Sequence, residues 1–331
     1  MKAEDRFVER LRAILPESDR VLVGPGDDAA IVRQEAGELV ATTDLVVEGV
    51  DFLPGEEPER LGRRALAVNL SDLAAMGARP DFFLLSIGFP PRMGEDFPLA
   101  VARGALSRAG PLGLLLAGGD LSAAPETFVS IALWGRAPGG PILRSGAHAG
   151  DLLFLSGFPG RAAAGLCLAR RLARRGNAPP GLSPDHEKEL LDSYRDPEPR
   201  LALGLELAGR CLAHAAIDLS DGLGADAARL ARASGLRAVI EKEKLPVAPA
   251  LAAFCSLEGS DPLRWILGGG DDYELLFAAP RGALETAGAL ADGVPVTRVG
   301  HLEPGEGAVL RDGERESDIA SLGHDHFERR P

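Results

Sequence analysis

Along its apolar and polar positions the chain switches repeatedly between two periods. Residues 1–15, MKAEDRFVERLRAIL, space apolar side chains among charges as an amphipathic helix does. Short β-rich runs follow, RVLVG at 20–24 and ELVATTD at 38–44, each ending in polar turn residues. Helical spacing returns over 59–76, ERLGRRALAVNLSDLAAM, despite an early glycine. FFLLSIGF (82–89), LGLLLAGGD (112–120) and TFVSIALWG (127–135) read as strands, with a helix over 95–108 between the first two. The two runs within 112–135 are spaced like a hairpin, which predicts a mixed sheet.

APGGPIL at 137–143 is the densest cluster of breakers and the expected domain boundary. Beyond it DLLFLSG predicts a strand, 161–175 a helix, and GNAPPGLSP (176–184) a surface loop. A helix over 199–213 leads into AAIDLSDGLGADAARLARAS, read as a strand ending at Asp218 and a helix starting near Asp221. The polar tail from about 301 is expected to be irregular. Strands alternating with helices on both sides of the boundary predict an α/β class with mixed sheets, in two domains, 1–137 and 138–331.

Composition narrows the class. A length of 331 residues suits two ordinary domains, and 45% hydrophobic with 26% charged residues is the balance of a soluble globular protein. A net charge of −13 argues against general nucleic-acid or anionic-membrane binding. No uninterrupted apolar run reaches the ~18 residues of a membrane span, and the charged N-terminus lacks the apolar segment of a signal peptide. Cys167, Cys211 and Cys255 are too scattered for zinc-ligand spacing or a disulfide framework, so a reducing cytoplasm is expected.

The acidic residues carry the chemistry. Asp27-Asp28, Asp44, Asp72, Asp120, Asp218 with Asp221, and Asp271-Asp272 sit beside Gly, Ser or Thr, mostly after an apolar run. Any one of them suits a turn or a helix cap. Together they suit ligand sites at strand ends. GDD precedes LSD in the first half and follows it in the second, so duplication in register explains them poorly; convergence on one cleft is expected. The clusters lack Cys and His, which disfavours zinc, and no EF-hand spacing occurs, leaving a hard cation such as Mg²⁺ with phosphate ligands.

There is no G-x-x-x-x-G-K-[ST], and the four lysines, Lys2, Lys188, Lys242 and Lys244, lie away from these clusters in sequence. A Walker or protein-kinase site is thereby disfavoured. Arg144, in LRSGAHAGD, is the best-placed arginine for a phosphate, and a solvated surface arginine is its plain alternative. Asn69 and Asp72, three apart, share a helix face, where a buried carboxylate needs a partner. Ser220 and Asp221 stand at a helix start, and Thr42 and Thr43 add hydroxyls beside Asp44.

GPGDDAAIV, ATTDLVVEGVDF, ALAVNLSDLAAMGARP, GGD, RSGAHAGD, AIDLSDGLGAD and GGGDDYELLF, in this order and spacing, resemble the thiamine-monophosphate kinases, in the superfamily of proteins like aminoimidazole ribonucleotide synthetase. The likeness runs from about residue 4 to 300. It implies the two-domain fold of that superfamily, an N-terminal ATP/Mg-binding domain whose sheet forms a homodimer interface, and a C-terminal domain completing the active-site cleft. It implies direct in-line transfer of the γ-phosphoryl of ATP to thiamine monophosphate, assisted by several Mg²⁺ ions, with no covalent phosphate carrier. By motif position it makes Asp28, Asp44, Asp72, Asp120, Asp218 and Asp221 metal ligands with Thr43 in support. Gly119, Asp120, Arg144 and Ser220 become nucleotide contacts, and Asp51 and Asp271 acceptor contacts. Many relatives carry His at Asp51, Glu at Asp271, a Thr pair at Leu121-Ser122, and some a Trp at Ser321. The alternatives are another ATP-dependent small-molecule enzyme of the superfamily and a non-catalytic Mg–nucleotide-binding protein; selenophosphate synthesis is disfavoured because no cysteine precedes Cys167.

Overall fold

The computed structural model describes residues 3–16, 18–23, 25, 31–33, 38–284 and 293–324. Met1–Leu73 with Ala78–Pro138 form one unit, and Ala74–Gly77 with Gly139–Pro331 a second.

In the first unit, helix α1 (Ala3–Arg12) precedes an antiparallel ribbon of β1 (Val21–Val23) and β2 (Ile31–Val32). Strands β3 (Leu39–Val47), β4 (Arg79–Phe89), β5 (Leu115–Ala123) and β6 (Phe128–Arg136) form a sheet in the order β3-β6-β4-β5. β5 runs parallel to β4, the two joined through helix α3 (Asp96–Ala109), and the other pairings are antiparallel. The sheet is mixed as expected, but no hairpin forms within 112–135. β6 leaves β5 at the edge and inserts between β3 and β4, because hydrophobic pattern specifies a strand and not its partner. β5 also begins later than 112, since residues 110–112 form a 3₁₀ turn closed by Gly113 at φ 63°.

Helix α2 (Pro58–Ala75) is apolar on most sides and correspondingly buried, with Leu61, Leu66, Leu70 and Leu73 shielded from solvent. Its early glycine has a steric cause. A Cβ on Gly62 would lie 1.9 Å from the Val101 carbonyl oxygen, and one on Gly104 of α3 would lie 1.8 Å from that of Glu59. The two helices therefore touch backbone to backbone, which offsets the roughly 1 kcal/mol that glycine costs a helix relative to alanine.

Alternation along the sheet produces two unlike faces. Phe83, Leu85, Ile87, Val129, Ile131 and Leu133 are buried on the face toward α2. On the other, Phe82 stacks on Trp134 with ring centroids 4.9 Å apart, and Leu39 and Leu45 are 47% and 53% exposed. Below the strands, buried Asp81 accepts from Arg136 Nε at 3.0 Å and is also paired with Arg20.

The second unit is built on β7 (Leu152–Ser156), β8 (Ala215–Asp218), β9 (Leu236–Glu241), β10 (Leu275–Ala279), β11 (Val296–Pro304), β12 (Ala308–Asp312) and β13 (Arg315–Asp318), in the order β13-β12-β9-β11-β7-β10-β8. Helices α4 (Arg161–Arg175), α5 (Pro184–Arg195), α6 (Leu201–Gly209), α7 (Leu223–Ala233), α8 (Pro249–Glu258) and α9 (Pro262–Gly268) complete it. β7 and β10 are buried at every position, as their unbroken apolar runs require.

Two expectations are corrected here. The tail beyond 301 is not irregular: it holds the end of β11 and all of β12 and β13. β13 is wholly exposed and mostly charged, a composition that suits an edge strand and hides a strand from pattern reading. The helix expected over 199–213 ends at Gly209, and Cys211 takes φ 51°.

Gly104→Val should destabilise the chain by about 2 kcal/mol or more through overpacking. Gly110→Ala, where an added Cβ meets nothing within 4 Å, should stay within about 0.5 kcal/mol of the parent. Urea denaturation of the two variants checks the pair; equal stabilities would remove the backbone contact of α2 and α3 as the reason for their glycines.

Candidate active site

On β3 the two-residue period turns Thr42 and Asp44 toward α2 and Thr43 away from it. Asn69, fully buried on α2, donates from Nδ2 to the Ala65 carbonyl at 2.9 Å and accepts the Asp44 backbone N–H at 3.0 Å. One helical turn on, Asp72 accepts from the Thr42 hydroxyl. In the turn after β3, Asp51 Oδ2 accepts the Val47 N–H at 2.8 Å. Burial, then repulsion from Asp72 and Asp51, pushes the Asp44 carboxyl up to about 6. Three carboxylates from a strand, a helix and a turn thus share one electrostatic neighbourhood.

The other described first-unit candidates lie elsewhere. The Thr43 hydroxyl donates to the Ile131 carbonyl at 3.0 Å on the face opposite Asp44; it is Thr42, a residue the motif reading left in second place, that reaches Asp72. Gly119 and Asp120 sit on β5. The pairing row Asp44–Ile131–Leu85–Gly119 runs across the whole sheet. Three strand spacings, about 14 Å, therefore separate these backbone positions. A Cβ at Gly119 would stand 1.8 Å from the Leu85 carbonyl oxygen, so backbone packing alone demands glycine there. Asp120 is exposed. Asp28 and its neighbour Asp27 lie outside the described residues.

In the second unit Asp218 ends β8, buried and in register with Leu275. The chain then turns through Ser220 and Asp221 into α7. Asp226 reaches back from that helix to accept the N–H groups of Asp221 and Gly222 at 3.1 and 3.2 Å, in the manner of a capping box. Arg229 pairs with Asp221 and, at 2.6 Å, with Asp226. Burial pushes the Asp226 carboxyl up to about 6, against the pull of Arg229 and helped by Asp221.

The 271–274 segment lies beside this turn. Ser220 and Leu219 carbonyls each accept at 2.9 Å, from the Asp271 and Tyr273 N–H groups respectively. Asp271 and Tyr273 hold φ of 67° and 52°, a left-handed conformation unusual for such residues, and the Tyr273 hydroxyl donates to Asp271 Oδ1 at 2.9 Å. The alternation splits the paired aspartates. Asp272 turns to the start of α4 and accepts the Gly160 and Ala162 N–H groups at 2.6 and 3.2 Å. Burial pushes its carboxyl up, to about 8, in spite of those two amides. Glu274, buried, takes Arg200 in a bidentate pair at 2.6 and 2.7 Å and the Ser156 hydroxyl at 2.6 Å. Arg144 is exposed, in the segment whose Leu143 carbonyl accepts the Ala216 N–H at 3.0 Å.

Sequence reasoning passed over Asp226, Arg229, Glu274 and Arg200. The i,i+3 spacing of Asp226 and Arg229 just inside a predicted helix start was a usable signal. Arg200 and Glu274 are 74 residues apart, with no local pattern to join them. Lys188, remote from the aspartates in sequence, lines a cleft of about 430 Å³ with Asp272, Arg161 and Arg200.

Known proteins resemble the chain along most of its length. Residues 26–137 match the family described as AIR synthase related protein, N-terminal domain, and 148–313 match its C-terminal domain. The thiamine-monophosphate kinase of Escherichia coli K12 is 38% identical over 330 residues, 97% of this chain and 96% of its own. The crystal structure of thiamine-monophosphate kinase from Stenotrophomonas maltophilia K279a aligns with a TM-score of 0.78 at 35% identity, covering 92% of this chain and 94% of that one. A structure described as AaThiL complexed with AMPPCP and TMP aligns at 0.76 and 30% identity, covering 97% and 95%. With both domain matches in order and identity running almost from end to end, the chain belongs to the AIR synthase related family and, within it, to the thiamine-monophosphate kinases.

Proposed function

We propose that this chain transfers the γ-phosphoryl group of ATP to thiamine monophosphate, forming thiamine diphosphate by direct in-line displacement. The observation that carries the reading is the gathering of Asp44, Asp51 and Asp72 at β3 and α2 in a chain of this family. Burial and the neighbouring charges of Asp72 and Asp51 hold the Asp44 carboxyl above its ordinary range, and a donor set made only of oxygen fits a hard cation such as Mg²⁺. When bound, that cation supplies the charge neutralisation that phosphoryl transfer chiefly needs.

Asp44 and Asp72 would hold Mg²⁺, with Thr42 orienting Asp72 and Asn69 keeping β3 in register so that Asp44 faces the helix. Asp28 and Asp120 in the first unit, and Asp218 and Asp221 taken by themselves in the second, are also proposed as metal ligands. Gly119, Asp120, Arg144 and Ser220 are assigned to the nucleotide. Asp51 and Asp271 are assigned to the acceptor, with Tyr273 fixing one oxygen of Asp271. A phosphate acceptor, with a second pKa near ~6, is largely dianionic at neutral pH and needs no general base.

The half-exposed apolar face around Phe82, Trp134, Leu39 and Leu45 supports a homodimer through the first unit's sheet. Among the described residues no helix is long and apolar enough to cross a membrane, and all three cysteines are free, in keeping with a cytoplasmic enzyme.

Incubation with Mg-ATP and thiamine monophosphate, followed by separation of thiamine phosphates, should yield thiamine diphosphate; tight Mg-ATP binding with no product would leave the non-catalytic alternative standing. Asp72→Asn should weaken Mg-ATP binding about 10- to 100-fold while unfolding free energy stays within about 1 kcal/mol of the parent. Undiminished binding would remove Asp72 from the ligand set. A carboxyl at about 6 when folded and 3.8 when unfolded binds more protons in the folded chain between those values. Without divalent cations, the Asp44 contribution to stability should therefore fall as pH rises through that window and level off above it, while that of Asp272 goes on falling toward pH 8. Denaturant titrations in a chelator should show that slope for the parent and a shallower one for Asp44→Asn, the remainder coming from Asp226 and Asp272. Mg²⁺ affinity should weaken as pH drops below about 6.

A further inference from the structure

Away from the aspartate sites, three ligating side chains of the second unit meet at one point. His214 Nδ1 lies 3.2 Å from His148 Nδ1 and 2.9 Å from Asp151 Oδ2, and His148 Nδ1 lies 3.8 Å from the same oxygen. Asp151 immediately precedes β7 and His214 immediately precedes β8. Both strands pair antiparallel with β10, so their first residues share one end of the sheet. Asp218 stands at the other end of β8, four residues on, which is about 13 Å along a strand. The place is thus remote from Asp218 and its turn.

Protons alone satisfy this arrangement poorly. One imidazole nitrogen holds a single proton or a single lone pair. If His214 Nδ1 donates to Asp151, the same proton must also serve His148 Nδ1. If it accepts from His148, its bare lone pair faces the carboxylate oxygen. A cation at the centre satisfies all three donors at once. Ligands held tetrahedrally at about 2.0–2.1 Å from a zinc ion stand about 3.3 Å from one another. The three separations here bracket that value. The cage is also braced: His148 N–H donates to Asp151 Oδ2 at 2.7 Å, Asp151 N–H to the His148 carbonyl at 3.0 Å, and His214 N–H to the Ala278 carbonyl at 2.8 Å. The Asp151 side chain is 6% exposed and that of His148 71%, so the acid is fixed inside while one flank stays open to water.

We propose that His148, Asp151 and His214 form a binding site for a divalent transition-metal ion, Zn²⁺ first, with water completing the coordination. Two imidazoles and one carboxylate favour such an ion over Mg²⁺, which prefers oxygen alone. The bound ion ties the turn before β7 to the start of β8. In the full-length, tag-free chain, Zn²⁺ uptake is measured in excess Mg²⁺, together with the absorption spectrum of Co²⁺ in its place. The parent should retain one equivalent of Zn²⁺ under these conditions, give a Co²⁺ spectrum of nitrogen ligation, and melt higher with Zn²⁺ than without. His148→Ala and His214→Gln should each weaken that uptake at least about tenfold and abolish the melting shift, leaving phosphoryl transfer with Mg-ATP unchanged. His148 is exposed enough for its truncation to leave the fold intact. Equal Zn²⁺ uptake in the parent and both variants, or Zn²⁺ fully displaced by Mg²⁺, would overturn the proposal.

Discussion

The first unit turns on one buried amide. Asn69 sits on an apolar helix with no access to water, so both ends of its side chain need partners. Its Nδ2 is satisfied by the helix's own Ala65 carbonyl, and its oxygen takes the backbone N–H of Asp44. That pair of bonds sets the register of β3 against α2. Asp44 and Thr42 then face Asp72, and the strand's other residues face away. A one-residue slip would present Thr43 and Leu45 to the helix and scatter the carboxylates. The backbone contact of α2 with α3 at Gly62 and Gly104 serves the same end, since it fixes where the helix lies.

In the second unit the constraint is a pair of chain segments laced through their backbones. Residues 219–220 and 271–274 exchange hydrogen bonds while two non-glycine residues hold positive φ. Such backbone persists only when its surroundings over-determine it. Here the lacing, the Tyr273 hydroxyl and the Glu274–Arg200 pair provide that support. The strain keeps Asp271 beside Ser220 and sends Asp272 into the α4 terminus. Two adjacent aspartates of identical chemistry thereby acquire opposite environments, one turned to a tyrosine hydroxyl and one capping a helix.

Much of this was legible in advance, and the reason differs by residue. β3, α2, β6, β7 and α4 follow from strong local periodicity, and the mixed α/β class follows from their alternation. Asn69 and Asp72 were marked by polar residues three apart on an apolar helix. β13 was not legible, because an edge strand rich in charge lacks the alternation that marks a strand, and β12 is a short run between polar turns whose partners β9 and β13 are set by tertiary pairing. Partners such as Arg200 for Glu274, or β6 for β4, depend on contacts far apart in sequence, and no local pattern encodes them.

By itself the sequence determined which residue types were present at which spacing: aspartates beside glycine and threonine, no phosphate-loop lysine, and the ordered motifs that mark the family. Tertiary structure alone decided which of those side chains meet. It put Thr42 rather than Thr43 at Asp72, kept Asp120 a sheet's width from Asp44, paired Asp221 with Arg229, and closed His148, Asp151 and His214 around a point. The physical reason is that side-chain direction alternates every residue along a strand, and strand order is chosen by packing, so neighbours in space are set by register and not by separation along the chain.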